Sequence, residues 1–297
     1  MTERLRRIGV VVHPRRDVEY ALATVRDWSA AHDVRLVALS TLGQQRQVAE
    51  PGDPAECDLI VALGGDGTTL AALRVAAAVD RPVMGVACGS LGALTAVTAE
   101  HVDEALDRVA GGDWIPRRLP ALEARREGEA PLAGVNDLVI VREGAGQVIC
   151  EVRVGGELFI RFAGDGLVLA TPLGSSAYTL AAGGPVLALA GASLVCTPLA
   201  PHGGCCPPLV MGAGSALEIR LDPGYGGARV EVDGQVLARV EPLAHVTYTT
   251  RLRDGYATLV ALGGEESLLA GLRRRRILMD SPRLLARDER AAAASGA

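Results

Sequence analysis

The sequence predicts two folded domains, an α/β N-terminal domain with a parallel sheet followed by a β-rich C-terminal domain. Three observations predict it. The chain has 297 residues, enough for two cores or one large one. Strand and helix patterns alternate as far as Gly112, the signature of βα units around a parallel sheet. Beyond Trp114 the helical pattern fades and short strand runs punctuated by glycine take over. The expected organisation is an α/β domain over 1–111, a β-rich domain over 112–255, and a terminal segment over 256–297 that packs back on the first domain.

The elements follow in order. "RIGVVVHP" reads as a first strand, and "DVEYALATVRDWSAAH" as an amphipathic helix with Asp17 as its cap. "VRLVALS" and "CDLIVAL" are the next strands, "TTLAALRVAAAV" a second helix, "RPVMGVAC" a fourth strand. "HVDEALDRVAGG" is a third helix, stopped at Gly111-Gly112. In the second half, "LPALEARREG", "APLAGVNDLVIVRE", "VICEVRVGGELFIRFAG", "LEIRLD", "ARVEVDGQVLARV" and "HVTYTTRLRDGYATLVAL" read as strands. Arg273–Arg276 reads as a solvated helix face rather than a basic patch.

Composition excludes several classes of function. Aromatic residues make up only 3% of the chain against 49% apolar, so the core must be aliphatic. Net charge is -5, which supports neither nucleic-acid nor anionic-membrane binding. The chain contains no lysine, which removes Schiff-base chemistry and the phosphate-binding lysines of P-loops and protein kinases. Six cysteines without a C-x-x-C pair fit free thiols in a reducing, cytoplasmic setting. The N-terminus reads as a strand rather than a signal peptide, and no run has the length of a membrane span.

Two stretches carry chemistry. The first is Gly64-Gly65-Asp66-Gly67-Thr68, between a strand and a helix. It is not a P-loop, which needs a lysine, nor a G-x-G-x-x-G fingerprint, because Leu70 stands at the third glycine position. Glycine lets a ligand approach the backbone, the helix start offers N–H groups to phosphate, and Thr68 or Thr69 adds a hydroxyl. Asp66 cannot bind phosphate but can accept the proton of an alcohol or hold a divalent cation. The pattern suits a phosphotransferase turn; the bland alternative is a tight turn with Asp66 as a helix cap.

The second is "GDGLVLATPLGSSAYTLAAGGPVL", Gly164 to Leu187, dense in small hydrogen-bonding groups and carrying Tyr178 as a flat face for a base. Two smaller features accompany it. Asn136-Asp137 enters a strand and could read a ribose diol or an adenine edge. Asp233-Gly234-Gln235 is by itself a hairpin turn.

Taken in order, G-G-D-G-T, N-[DE], D-G-L-x-x-x-T-P-x-G-S-[ST]-A-Y-x-x-x-A-G-G-P and a strand ending in D-G resemble the NAD kinase family over roughly residues 8 to 260. The block from Asp165 to Pro185 is the specific part; G-G-D-G-T is shared with lipid kinases. The resemblance implies a site between the two domains, at which ATP phosphorylates the 2′-hydroxyl of the adenosine ribose of NAD. It implies Asp66 as the general base, with Gly64, Gly65, Gly67 and Thr68 around the reacting groups. Asn136 and Asp137 would bind the dinucleotide, and Asp165 its nicotinamide end. Ser176, Ala177, Tyr178, Thr179, Leu180 and Ala181 would form the adenosine loop, with Gln235 as a further contact. It also implies Mg²⁺ or another divalent cation on the donor phosphates and a homodimer or homotetramer.

The chain departs from the family pattern at several positions. Ala87 stands for an asparagine, Ala93 for a phenylalanine, and Ala71, Ala163 and Pro207 for basic residues; Asp137 stands for the usual glutamate. These losses keep a second reading open, a diverged kinase of the same fold acting on a nucleoside, sugar or polyol. A third, an idle dinucleotide-binding protein, sits poorly with a retained Asp66.

Overall fold

The computed structural model describes residues 5–41, 46–187, 193–212, 214–263 and 268–295. It has two compact units, 1–263 and 264–297. The first opens with β1 (Arg7–Val12), α1 (Glu19–Ala31), β2 (Arg35–Ala38), β3 (Leu59–Gly64), α2 (Asp66–Ala77), β4 (Pro82–Ala87), β5 (Val97–Thr98) and α3 (Val102–Ala110). Strands β4, β3, β1 and β2 lie side by side in that order and run parallel. Their burial explains their composition. β3 is buried along its whole length, and β1 and β4 after their first residues, because helices cover both faces.

Alternation within these strands sorts the helices to the two faces. Ile8, Val10, Val12, Leu59, Val61 and Leu63 pack with Leu22, Val25 and Trp28 of α1 and Leu106 of α3. Val11, Ile60, Ala62 and Val83 point the other way, onto Leu70, Leu73 and Ala76 of α2. The helix cap expected at Asp17 falls one residue later: Val18 caps α1, while the Asp17 carboxylate accepts the Glu19 N–H at 3.0 Å.

The remaining strands are β6 (Ile115–Arg125), β7 (Leu132–Gly134), β8 (Asp137–Arg142), β9 (Val148–Val154), β10 (Glu157–Gly164) and β11 (Gly166–Ala170). After a single helical turn, α4 (Tyr178–Ala181), come β12 (Ser193–Leu199), β13 (Leu209–Gly212), β14 (Leu217–Asp222), β15 (Ala228–Val232), β16 (Gln235–Val240) and β17 (Val246–Ala261). One antiparallel sheet has the order β13-β12-β11-β8-β15-β16. The strands β10, β9, β14 and β17 form a second antiparallel run, which does not stop at its own edge. The far end of β17 pairs in parallel with β4, at Thr258↔Pro82 and Leu259↔Val83, so the sheet continues into the N-terminal strands.

The two sheets close on an almost wholly aliphatic core. Leu138, Ile140, Leu167, Leu169 and Val230 meet Val152, Ile219 and Leu221, with Phe162 and Tyr248 the aromatic members. Each such buried side chain contributes roughly 1.5–3 kcal/mol over its exposed state, so an aromatic-poor core is no handicap. The second unit consists of α5 (Leu268–Arg274) and α6 (Pro282–Ser295). Arg273 is not merely solvated: its guanidinium grips both oxygens of Asp280, at 2.9 and 2.6 Å. Among the described residues no helix is long and apolar enough to cross a membrane.

Candidate active site

Gly65, in extended backbone at φ -153°, caps α2, and Asp66 is the first helical residue. The main chain closes this first turn unaided, with the N–H groups of Thr68 and Thr69 both donating to the Gly65 carbonyl at 3.0 Å. Asp66 therefore does not serve as the helix cap. Its carboxylate is turned across to the loop after β4, where Oδ2 accepts the Ala93 N–H at 3.0 Å and Oδ1 the Leu94 N–H at 2.9 Å. The approach demands glycine opposite, because a Cβ on Gly92 would collide with the Asp66 carboxylate. Ala93, which lacks the aromatic ring expected there, still performs this task, since the contact is made by its backbone.

The glycines of the turn have different reasons. A side chain on Gly64 would strike Thr68. At Gly65 and Gly67, by contrast, a Cβ would meet nothing within 4 Å. Neither lies in the left-handed region. What glycine supplies there is open access to the backbone. The two threonines also separate: Thr69 Oγ1 donates to the Gly65 carbonyl at 3.2 Å, whereas the buried Thr68 Oγ1 has no protein partner.

The second cluster is organised by a buried carboxylate. Asp233 and Gly234 have φ of 48° and 75°, which builds the tight two-residue turn between β15 and β16. That conformation sends Asp233 inward, its side chain only 2% exposed. There it accepts N–H groups from Val135 (3.0 Å), Asn136 (2.7 Å) and Asp137 (3.3 Å). Burial pushes the Asp233 carboxyl up, while those N–H groups and Arg74 oppose the shift. Asp137, at the first position of β8, is pushed up to about 7, by burial first and then by the charges of Asp233 and Glu231.

The loop after β11 docks on the same segment. Thr171 Oγ1 donates to the Val135 carbonyl at 2.6 Å, and the Thr171 N–H to the Asn136 carbonyl at 2.9 Å. Gly174 lies so close to the Asn136 carbonyl that a Cβ would collide with it. The hydroxyls of Ser175 and Ser176 fold back on the carbonyls of Pro172 and Leu173, shaping Gly174–Ser176 into one tight turn. Tyr178 follows, 42% exposed, with Ala177 and Ala181 also exposed, Leu180 half-buried and Thr179 buried. The Asn136 Oδ1 and Thr179 Oγ1 atoms are buried without a protein partner.

Two contacts draw the clusters together. Leu173 and Val135 pack in the same apolar group as Leu70, Leu73, Leu94 and Tyr256. Arg74 of α2 donates to the Val232 carbonyl at 3.0 Å and lies 3.7 Å from the Asp233 carboxylate. So α2, and Leu94 whose N–H holds Asp66, pack against the Val135–Asp137 segment and the loop at Leu173, with the exposed Gln235 beside the Asp233 turn. Asp165 does not join it. It sits at the other end of β11, about 20 Å from Thr171 by strand rise, with its carboxylate 2.5 Å from Arg142 Nε. Arg74 and Asp233 are the residues sequence reading missed as part of the site. Their pairing spans the chain, and no local pattern announces it.

Among the described residues no group of three or more His, Cys, Asp or Glu side chains could hold a metal. A strand-helix turn with an oriented carboxylate and glycine-exposed backbone, on a helix packed against a loop rich in hydroxyls, suits a phosphotransferase of the two-domain α/β plus β-rich class. Comparison with known proteins gives the family. Residues 6–114 match the ATP-NAD kinase N-terminal domain and residues 135–257 the ATP-NAD kinase C-terminal domain. The NAD kinase of Heliobacterium modesticaldum is 35% identical over 240 residues, 77% of this chain and 84% of that protein. The chain belongs to the NAD kinase family, and is a kinase. Two solved structures share its fold. Yeast NADH kinase complexed with NADH superposes with a TM-score of 0.77 at 19% identity, covering 94% of this chain and 89% of that one. An Archaeoglobus fulgidus NAD kinase in complex with ATP superposes at 0.70 with 23% identity, covering 90% and 98%.

Proposed function

We propose that this chain transfers the terminal phosphoryl group of ATP to the 2′-hydroxyl of the adenosine ribose of NAD, giving NADP. One observation carries the chemistry, the Asp66 carboxylate held by the N–H groups of Ala93 and Leu94 at the opening of α2. These bonds fix the group in place, and a carboxylate so positioned is suited to accept the proton of an attacking hydroxyl. Phosphoryl transfer asks chiefly for such positioning and for charge neutralisation.

The acceptor lies on the second cluster in this reading. The unpartnered Asn136 Oδ1 suits a donor such as the adenine amino group. Asp137 faces the ribose, Tyr178 offers its ring to the base, and Gln235 a further contact. Ser176, Ala177, Thr179, Leu180 and Ala181 complete the adenosine loop. Asp165, remote within one chain, would act at the nicotinamide end. A divalent cation such as Mg²⁺ would neutralise phosphate charge when bound. The residues present fit an ion carried by the donor phosphates beside the single carboxylate of Asp66, not a protein-built cage.

The test is to incubate the full chain with ATP, Mg²⁺ and, separately, NAD, NADH, nucleosides and polyols, and to identify products by mass spectrometry. The expected product is NADP. A phosphorylated nucleoside or polyol without NADP would favour the diverged-kinase reading, which rests on the small side chains Ala87, Ala93 and Ala163.

A further inference from the structure

The parallel strands raise a question the acceptor site does not answer. In the order β4-β3-β1-β2, the chain leaves β1 for β2 on one side and returns to β3 on the other. The carboxyl ends of β1 and β3 therefore flank a topological switch point, the crevice where open α/β sheets take ligands. One wall of it is the Gly64–Thr68 turn. The other is the segment His13–Val18 after β1, which carries Arg15 and Arg16.

That segment is built around cations. The His13 N–H continues the ladder to the Leu63 carbonyl at 2.9 Å. Its ring Nδ1 accepts the N–H groups of Arg15 and Arg16, at 3.1 and 2.9 Å, and so curls the loop over the strand end. Arg46 braces the curl by donating to the carbonyls of His13 (3.3 Å) and Arg16 (2.8 Å), and pairs with Glu19 at 2.8 Å. Arg16 reaches across to the Cys88 carbonyl just after β4, at 3.2 Å. There Gly89 makes room for it, since a Cβ would come within 2.6 Å of the guanidinium. The exposed Arg15 guanidinium has no protein partner among the described residues. The three arginines help lower the pKa of His13, after burial, as a positive local field must.

A second observation points into the same crevice. Thr68 is 6% exposed, and its orphaned Oγ1 stands beside Gly64. A Cβ on Gly64 would also come within 3.1 Å of His13 Cβ. A buried hydroxyl without a protein partner is costly unless a ligand or a water molecule supplies one.

We propose that Arg15 and Arg16, braced by Arg46, hold the polyphosphate chain of the phosphoryl donor, with Thr68 Oγ1 and the open backbone at Gly65 and Gly67 taking the end that reacts. This rests on the kinase reading above and assigns the donor side of it. The recognised chemistry is a linear chain of phosphates, whether attached to a nucleoside or not.

The test compares wild type, Arg15→Gln, Arg15→Lys and the control Arg35→Gln on β2, as full-length chains. Inorganic tripolyphosphate binding is measured by calorimetry, and KM for ATP and NAD by steady-state kinetics. Arg15→Gln should weaken tripolyphosphate and raise the ATP KM by about tenfold, the scale of one charge-assisted contact. Arg15→Lys should recover part of the loss, and NAD KM and the control should stay within about twofold. Unchanged tripolyphosphate affinity in Arg15→Gln overturns the proposal, and so does a loss confined to ATP, which would place the contact on the nucleoside. If no NADP forms at all, the acceptor reading fails, and tripolyphosphate binding still decides the site.

Discussion

Arg74 and Asp233 are 159 residues apart in the chain and form an ion pair at 3.7 Å across the two halves of the site. Their contact explains how a helix in the parallel domain and a hairpin in the β-rich domain hold one geometry. Asp233 spends its remaining acceptor capacity on the backbone of Val135 to Asp137. The helix that carries Asp66 is thus connected to the segment that carries Asn136 and Asp137 through two side chains.

Removing one partner should be costly, because the other remains as a buried charge. Arg74→Gln is expected to lower stability by about 2–4 kcal/mol, somewhat below a fully buried pair because Arg74 keeps some solvent. At permissive temperature it should also raise the acceptor KM more than it lowers kcat. Urea denaturation and steady-state kinetics check both; a stability change under about 0.5 kcal/mol, the range of ordinary surface changes, would remove the pair from the account.

Asp137 gives a pH dependence of definite sign. Its carboxyl titrates near 3.8 without the fold and about 7 within it. Between those values the native state holds a proton that the unfolded state has released. Stability from this group therefore falls as pH rises from about 4 to 7 and is flat above. Asp137→Asn abolishes that slope. Its stability relative to wild type should increase steadily from pH 5 to 7.5 in parallel denaturation series. A difference that does not vary with pH would contradict the assignment.

Gly92→Ala isolates the orientation of Asp66. The added methyl occupies the place of the carboxylate and displaces it. Turnover should fall by about 10²-fold, the cost of misplacing a reacting group by an ångström, with KM for the acceptor nearly unchanged. Equal kcat in the two proteins would show that the Ala93 and Leu94 contacts do not set the reacting geometry.

Gly67→Ala should separate stability from binding. The position is helical and has room, so alanine is expected to stabilise the fold by roughly 0.5–1 kcal/mol. If the open backbone receives a ligand, the same methyl should weaken ATP binding. A thermal melt and an ATP titration on one preparation suffice; tighter folding with unaltered ATP affinity would leave that glycine without a ligand role.

Much of this arrangement was legible in the sequence because it is local. The βα alternation, the glycine turn after β3, the start of β8 at Asp137 and the Asp233-Gly234 turn all follow from short patterns of burial and φ. The alanine at position 93 looked like a loss because side chains are what a sequence displays, whereas the structure uses its N–H. Hidden from the sequence were features set by long-range register: the parallel pairing of β17 with β4, the Arg74–Asp233 pair, and the crossing of Arg16 to Cys88. The fixed length of β11 likewise put Asp165 far from Thr171, a separation that motif order alone does not reveal.

The central claim is that Asp66 accepts the proton of the attacking hydroxyl. Single-turnover NADP formation by wild type and Asp66→Asn, with NAD binding measured on the same proteins, tests it most directly. The account predicts nearly equal NAD affinity and a rate lower by about 10²–10⁴ in the variant, the usual span for a general base. A variant that forms NADP at the wild-type rate would contradict it.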